Sequence, residues 1–250
     1  MIKLKNLRDV LPKQDVKEKF VKENFNDIAR YYDLFNDLFT FRLHRNWKKK
    51  LIKSLSLENV ERAIDLCCGS GDIAIYMAKS PNIQRDFKVI ACDFSEEMLK
   101  LLNQKIQKQN LNGKIAILNS NVLNLPKEFE NSFDVATVGY GVRNVKDRVQ
   151  FFREVYRILK DNGRFGILEV GDIQPKFLRP IAYFYMKYLI PLIGYFLQKE
   201  KVNMYAYLPA SALEFPPPDV IKRELESVGF QNVTYKRVFF GASVIYTAYK

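Results

Sequence analysis

"DLCCGSGDIA", residues 65–74, decides how this chain is read. An apolar run, "VERAI" (60–64), delivers Asp65; two cysteines follow, and Gly69 and Gly71 then flank Ser70. Glycines after a strand let the backbone approach a ligand closely. Gly69, Gly71 and Ala74 satisfy the G-x-G-x-x-G/A pattern, with Asp93 ending the next apolar run. Taken alone, that is the fingerprint of a dinucleotide site. The flanking acids argue against it, because a pyrophosphate on this loop would meet both Asp65 and Asp72. S-adenosylmethionine carries no phosphate, and its ammonium and sulfonium favour nearby carboxylates. Asp93, at the end of a strand, is placed to accept hydrogen bonds from both ribose hydroxyls, or else to cap the helix begun by "SEEML".

Outward from the loop, strand-like runs at 60–66, 87–92, 114–119, 133–139 and 163–170 alternate with helical patterns near 72–79, 95–109 and 147–159. In the last, Val149, Phe152, Val155, Tyr156 and Leu159 recur at helical spacing, and "KDNG" (160–163) supplies a stop. Such alternation predicts a parallel sheet covered on both faces. After a helix near 218–228 the rhythm breaks: "FQNVTYKRV" and "ASVIYTAYK" are joined only by "FFG". A link this short permits an antiparallel hairpin and forbids a parallel crossover. The expected fold is therefore α/β, of the class I S-adenosylmethionine-dependent methyltransferase type. Its sheet is doubly wound, mostly parallel and seven-stranded, and ends in an antiparallel hairpin.

The 250 residues, 48% hydrophobic and 27% charged, suit one domain over 1–250. N-terminal helices are expected at about 14–53 and an aromatic cap insert at about 175–210. Cys67, Cys68 and Cys92 show neither metal-ligand spacing nor a disulfide framework, so no metal is expected and a reducing, cytoplasmic compartment is. The opening "MIKLKNLRDV" is too charged for a signal peptide. The net charge of +12 is uneven. Residues 1–60 hold 14 Lys/Arg against 8 Asp/Glu, residues 61–174 hold 16 against 15, and residues 175–250 hold 10 against 5. Basic flanks around a near-neutral middle suit an anionic membrane surface or an RNA. The apolar stretch 177–197, "FLRPIAYFYMKYLIPLIGYFL", is about long enough to cross a bilayer. Arg179, Lys187, Pro180, Pro191 and Gly194 interrupt it and argue for a cap over an apolar pocket instead.

Several stretches together resemble the ubiquinone/menaquinone biosynthesis C-methyltransferase family, from about residue 20 to the C-terminus. They are "FNDIARYYDLFNDLFTFRLHRNWKK" (25–49), "DLCCGSGD" (65–72), "CDFSEEML" (92–99), "NSNVLNLP" (119–126), "GYGVRNV" (139–145), "EVYRILKDNGRFGILEV" (154–170), "YAYLPASALEFP" (205–216) and "ESVGFQNVTY" (226–235). The resemblance implies transfer of a methyl group from S-adenosylmethionine to a ring carbon of a polyprenyl quinol. Demethylmenaquinol is the expected acceptor, and a methoxybenzoquinol is the alternative. It further implies that Ser70, Asp93, Asn121, Val122 and Gly139 contact the donor while Gly69 and Gly71 shape the turn. Ser70 would serve the methionine carboxylate and Asn121 the adenine amino group; Asp65 would orient the loop or face the ammonium. The sequence departs from the family in Cys67-Cys68, in Gly139-Tyr140 where a serine is common, and in its aromatic insert.

A ring carbon becomes nucleophilic when a neighbouring hydroxyl loses its proton, and a phenol titrates near ~10, so a base or a stabilising cation is needed. Arg143, after the fourth strand, is the first candidate, as a guanidinium for the phenolate. Tyr31 and Tyr32 follow as lid residues, and then His44, the single histidine. The expected partners are the polyprenyl quinol and, peripherally, the inner face of the membrane, with a homodimer the expected assembly. No nucleic acid is expected. The N/D-P-P-Y signature of amino-group methylation is missing after the fourth strand, where "GYGVRN" stands.

Overall fold

The computed structural model describes residues 10–81, 83–84, 86–197 and 202–250. One seven-stranded sheet organises them, in the order β3-β2-β1-β4-β5-β7-β6. The strands are β1 (Arg62–Leu66), β2 (Lys88–Asp93), β3 (Ile115–Asn119), β4 (Phe133–Gly139), β5 (Leu159–Val170), β6 (Gln231–Val238) and β7 (Ser243–Tyr249). The first five pair in parallel; β7 runs antiparallel to both β5 and β6. The sheet order reverses between β1 and β4, and their carboxyl ends frame the crevice where such sheets bind ligands.

Local chemistry fixes the helix starts. Helix α3 (Asp72–Ala78) begins directly behind Gly71. Helix α4 (Glu96–Lys108) begins at Ser95, whose hydroxyl accepts from Met98 N, and carries acids in its first turn and lysines in its last. Helix α5 (Arg148–Ile158) is capped by Asp147, and α9 (Pro218–Val228) stops at Gly229 with φ +118°. Two clusters cover the sheet. Alternate strand residues divide between them, Ala63 and Val135 to one face and Ile64 and Ala136 to the other.

One boundary differs from expectation. "KDNG" does not stop a helix ahead of a later strand; α5 ends at Ile158 and β5 begins at once, at Leu159. The four residues are absorbed as an irregularity. Phe133 pairs with Leu159 but Val135 pairs with Arg164, and Asn162, at φ +62°, donates its N–H to the carbonyl of Lys250.

A third cluster lies beyond the carboxyl ends of the strands. The first two helices are α1 (Lys17–Phe39) and α2 (Leu43–Leu55). The stretch after β5 folds into α6 (Arg179–Phe184), a π-helical turn (Tyr185–Leu189) and α7 (Ile190–Leu197), followed by α8 (Val202–Leu213). Val21, Ile28 and Phe35 of α1 pack with Ile190, Tyr205, Tyr207 and Leu208. Helix α1 and the described residues of 179–197 and 202–213 thus roof the crevice together. No helix among the described residues is long and apolar enough to cross a membrane.

Candidate functional site

The glycine loop is held by buried carboxylates. Asp65 accepts from Ala74 N (3.1 Å) at the start of α3 and from the Thr137 hydroxyl (2.8 Å) on β4. Burial pushes its carboxyl up to about 7, against the lowering effect of those hydrogen bonds and of Lys48. Asp93 accepts from Gly69 N (2.8 Å) and Ser95 N (2.9 Å), so it ties the loop to the start of α4. Burial raises its carboxyl as well, more than these bonds lower it. Both ribose acceptance and helix capping were open for Asp93 from sequence; the structure shows the carboxylate beside both Gly69 and α4.

Helix α1 meets the loop with polar groups. Ser70 donates to Asp33 (2.6 Å) and accepts from Lys105 Nζ (3.0 Å). Lys105 also pairs with Asp33 (2.7 Å) and Asp72 (3.1 Å), and Lys48 of α2 pairs with Asp72 (2.8 Å). Burial opposes the ionised form of Asp72, yet the two lysines hold its carboxyl well below the usual range. Asn121 donates to Glu18 of α1 (2.6 Å) and accepts from Leu123 N (3.0 Å), while Asn26 meets the Ser95 hydroxyl (2.6 Å). Ser70 and Asn121, two of the polar groups assigned to the donor, are therefore both bonded to α1, whereas Asp93 is bonded to backbone N–H groups. Asp33, Lys105 and Glu18 were not singled out from sequence. Lys105 lies in the last turn of α4 and Asp33 one residue beyond Tyr32, so nothing local marks either as a neighbour of Ser70.

Two cavities meet at Tyr32, Gly69 and Gly139. The smaller, about 70 Å³, is lined by Asp93, Phe94, Asn121, Val122 and Val145. The larger, about 840 Å³, runs from Asp65, Ser70 and Asp72 past His44 and Arg143 to the segment 178–186 and the aromatic pair Phe239–Phe240. Asp65, Asp72 and the Ser70 hydroxyl on the larger cavity, with Asp93 and Asn121 on the smaller, give a set of acceptors suited to a cationic, ribose-bearing donor. Gly139 keeps the junction open, because a Cβ there would sit 2.5 Å from Ile73 Cδ1.

The four catalytic candidates separate. Tyr32, His44 and Arg143 line the larger cavity. Tyr31 lines neither and lies under the Arg30 guanidinium, 5.5 Å away. One residue on a helix is a turn of about 100°, enough to move a side chain off the cavity face. His44 is buried, with Nδ1 2.6 Å from the Thr40 hydroxyl. Burial, aided by Lys48, pulls its imidazole down to about 4. A base that weak does not take a proton from a phenol of pKa ~10. Burial pushes the Tyr32 phenol up to about 12, so it stays protonated at neutral pH.

Arg143 is held by an ion pair. Its Nη1 donates to Glu169 (2.5 Å) and to the Tyr140 carbonyl (2.9 Å), and its own N–H reaches the second oxygen of Glu169 (3.2 Å). Glu169, at the end of β5, is fully buried. Lys17 of α1 holds the carbonyls of Arg143 (3.0 Å) and Val145 (2.9 Å). Nε of Arg143 is buried with no hydrogen-bond partner among the described residues. Sequence reading missed Glu169, although an acid ending an apolar strand, "GILEV", was the signal.

Known proteins fit this geometry. The model of the ubiE/COQ5 methyltransferase family matches residues 13–250. The demethylmenaquinone methyltransferase of Leptospira interrogans (strain Fiocruz L1-130) is 38% identical over 243 residues, 96% of each chain. That of Geobacillus kaustophilus is 34% identical over 234 residues, 94% of this chain and 98% of the relative. Among solved structures, an S-adenosylmethionine-dependent methyltransferase of Methanococcus maripaludis, described as putative, superposes with a TM-score of 0.60. It is 24% identical and covers 90% of this chain and 93% of its own, a likeness of fold. Sheet order, carboxylate-held glycine loop and a match that spans nearly every element agree, and the chain belongs to the ubiE/COQ5 methyltransferase family.

Proposed function

We propose that this S-adenosylmethionine-dependent methyltransferase methylates a ring carbon of a polyprenyl quinol at the membrane surface, converting demethylmenaquinol to menaquinol. The observation that carries the reading is the larger cavity. About 840 Å³ leads from the polar loop, past Arg143, to apolar walls, and this is room for a bicyclic head with the first units of a greasy tail. The relatives named demethylmenaquinone methyltransferase favour the naphthoquinol over the benzoquinol head. Incubating the protein with the donor and demethylmenaquinol, and weighing the product by mass spectrometry, tests it. A wild-type protein that methylates neither quinol class overturns the proposal.

The donor, when bound, supplies an electrophilic methyl group on a good leaving group. Asp93, Val122 and Asn121 would hold the nucleoside end, and Ser70 the amino-acid carboxylate. Helices α1 and α8 exclude water. Arg143, fixed by Glu169, presents its remaining guanidinium N–H groups toward the acceptor's hydroxyl oxygen. Because Glu169 already neutralises Arg143, the pair orients the oxygen and disperses its charge without adding a net cation.

Asp93→Ala is expected to weaken donor binding by about 2 kcal/mol, since a charged acceptor is lost and Gly69 N and Ser95 N lose their partner. Calorimetry on a folded variant checks this, and unchanged affinity removes Asp93 from the site.

Asp65 makes donor binding depend on pH. Without ligand its carboxyl titrates near about 7, whereas in the unfolded chain it titrates near 3.8. Between those values the native protein holds a proton that the unfolded chain has released. The associated stability is therefore full below about 4 and lost as pH rises through about 7. A cationic ligand beside Asp65 favours the carboxylate and expels that proton. Affinity should then rise between about pH 5 and 7 and level off above, and Asp65→Asn should flatten the slope. Calorimetry at pH 6 in two buffers of different ionisation enthalpy reads the proton directly; equal heats would refute the linkage.

A further inference from the structure

The mouth of the larger cavity is ringed by apolar side chains that face outward. Phe41, Ile181, Tyr183, Leu213, Phe239 and Phe240 all line the cavity and are all exposed. They come from four separate places in the chain: the α1–α2 turn, α6, α8 and the β6–β7 turn. A soluble ligand does not require the entrance to its pocket to be apolar on the outer side, and large exposed apolar patches mark an interaction surface.

Three of these rings are held at a conformational cost. Phe41 (φ +49°), Phe239 (φ +46°) and Phe240 (φ +54°) occupy the left-handed region, where a bulky side chain is an outlier and glycine or asparagine is favoured. Each is nevertheless exposed, at 75%, 55% and 63%. Phe239 lies 6.0 Å from the Trp47 ring and 5.6 Å from that of Phe240, yet all three phenylalanines leave more than half of their surface open. Basic residues accompany the apolar rim: Arg42 follows Phe41, Lys176 precedes the exposed Phe177, and Arg179 lies two residues before Ile181, all on the surface. Of the neighbouring acids, Asp37 is paired with Arg45 and Arg42 and Asp172 with Arg237, while Glu214 follows Leu213 on the surface. The rim segments also belong to the two basic flanks of the sequence, 1–60 and 175–250, and not to its near-neutral middle.

We propose that Phe41, Phe239 and Phe240 are membrane-inserting rings that seat the cavity mouth on an anionic phospholipid bilayer, so that a lipid acceptor enters without crossing water. This deepens the functional reading and rests on it for the acceptor's identity, but the seat itself is measurable without donor or quinol. Apolar rings below a basic collar match the interfacial region of an anionic leaflet.

The test is partition of the full chain onto vesicles of phosphatidylethanolamine and phosphatidylglycerol. The wild type should bind, more weakly at high salt and to phosphatidylcholine alone. In Phe41→Asn/Phe240→Asn, partition should fall about 100-fold, roughly tenfold for each ring withdrawn. Its Tm should hold or rise, since asparagine suits the left-handed backbone at both positions. Ile117→Asn, an exposed apolar residue on β3, should partition as the wild type does. As a second measurement, Phe240→Trp fluorescence should be quenched by lipids brominated on the acyl chain. Wild-type partition in the double variant, or no vesicle binding by the wild type, overturns the proposal. So does a solution dimer that is lost in the double variant while vesicles remain unbound, because the rings would then cover a second copy. Failure to methylate a quinol would sink the functional reading and leave these partition results standing.

Discussion

An Arg143→Lys variant is expected to keep its affinity for the donor while turnover on a quinol acceptor falls by roughly 10²-fold or more, about 2.7 kcal/mol of transition-state stabilisation. The reason is geometric. One nitrogen of the guanidinium serves both Glu169 and the Tyr140 carbonyl, which leaves the rest of the planar fork for an acceptor oxygen. An ammonium can replace the ion pair with Glu169 but cannot at the same time present a rigid second face. Charge balance therefore survives and orientation does not. Raising the pH should recover part of the lost rate, because the acceptor then ionises without help. Arg143→Ala is the contrasting variant. It strands the fully buried carboxylate of Glu169, and such a loss costs about 3–5 kcal/mol of stability. If Arg143 served folding alone, the lysine variant would turn over normally. Wild-type rates in Arg143→Lys at saturating donor would remove the residue from catalysis and leave Tyr32 as the candidate on the cavity wall.

What the sequence made legible divides by the range of the interaction. The glycine loop, the apolar strands and the short link before β7 are local signals, and each predicted its element because the deciding chemistry lies within a few residues. The beginning of β5 was misplaced because "KDNG" has turn composition, while the pairing of Asn162 with the carbonyl of Lys250, 88 positions away in sequence, keeps it in the sheet. The same limit explains the site. Arg143 was visible as an arginine after a strand, but its neutralisation by Glu169 requires β4 and β5 to be neighbours in register. Asp33 comes to Ser70, and Glu18 to Asn121, only because α1 folds back over the carboxyl ends of the strands, and Tyr31 leaves the cavity by a single helical step. The left-handed rings at the mouth were equally invisible, since nothing in "FFGA" states that both phenylalanines take positive φ.

The loop itself offers the sharpest test of how packing and backbone divide the work. Gly69→Ala and Gly71→Ala are chemically identical changes two residues apart, both at positive φ, +53° and +81°. A Cβ on Gly69 meets only Tyr32 Cε1 at 3.8 Å, an ordinary contact, so the expected cost is the left-handed backbone alone, about 1–2 kcal/mol. A Cβ on Gly71 would lie 2.1 Å from Leu102 Cδ1, and Leu102 is fully buried on α4 and has no exposed side to move toward. Overpacking adds about 1–3 kcal/mol, for a total near ~3 kcal/mol. In a chain of this length that lowers Tm by roughly 6–12 °C. Donor affinity should fall with it, since Gly71 is the last residue before α3 and carries Ser70 beside it. Trimming the partner isolates the cause. In Gly71→Ala/Leu102→Ala the clash is gone, so the two losses should be less than additive by about 1–2 kcal/mol. Equal destabilisation by the two glycine variants, with no coupling to Leu102, would mean that backbone conformation alone sets the loop and that its contact with α4 is incidental.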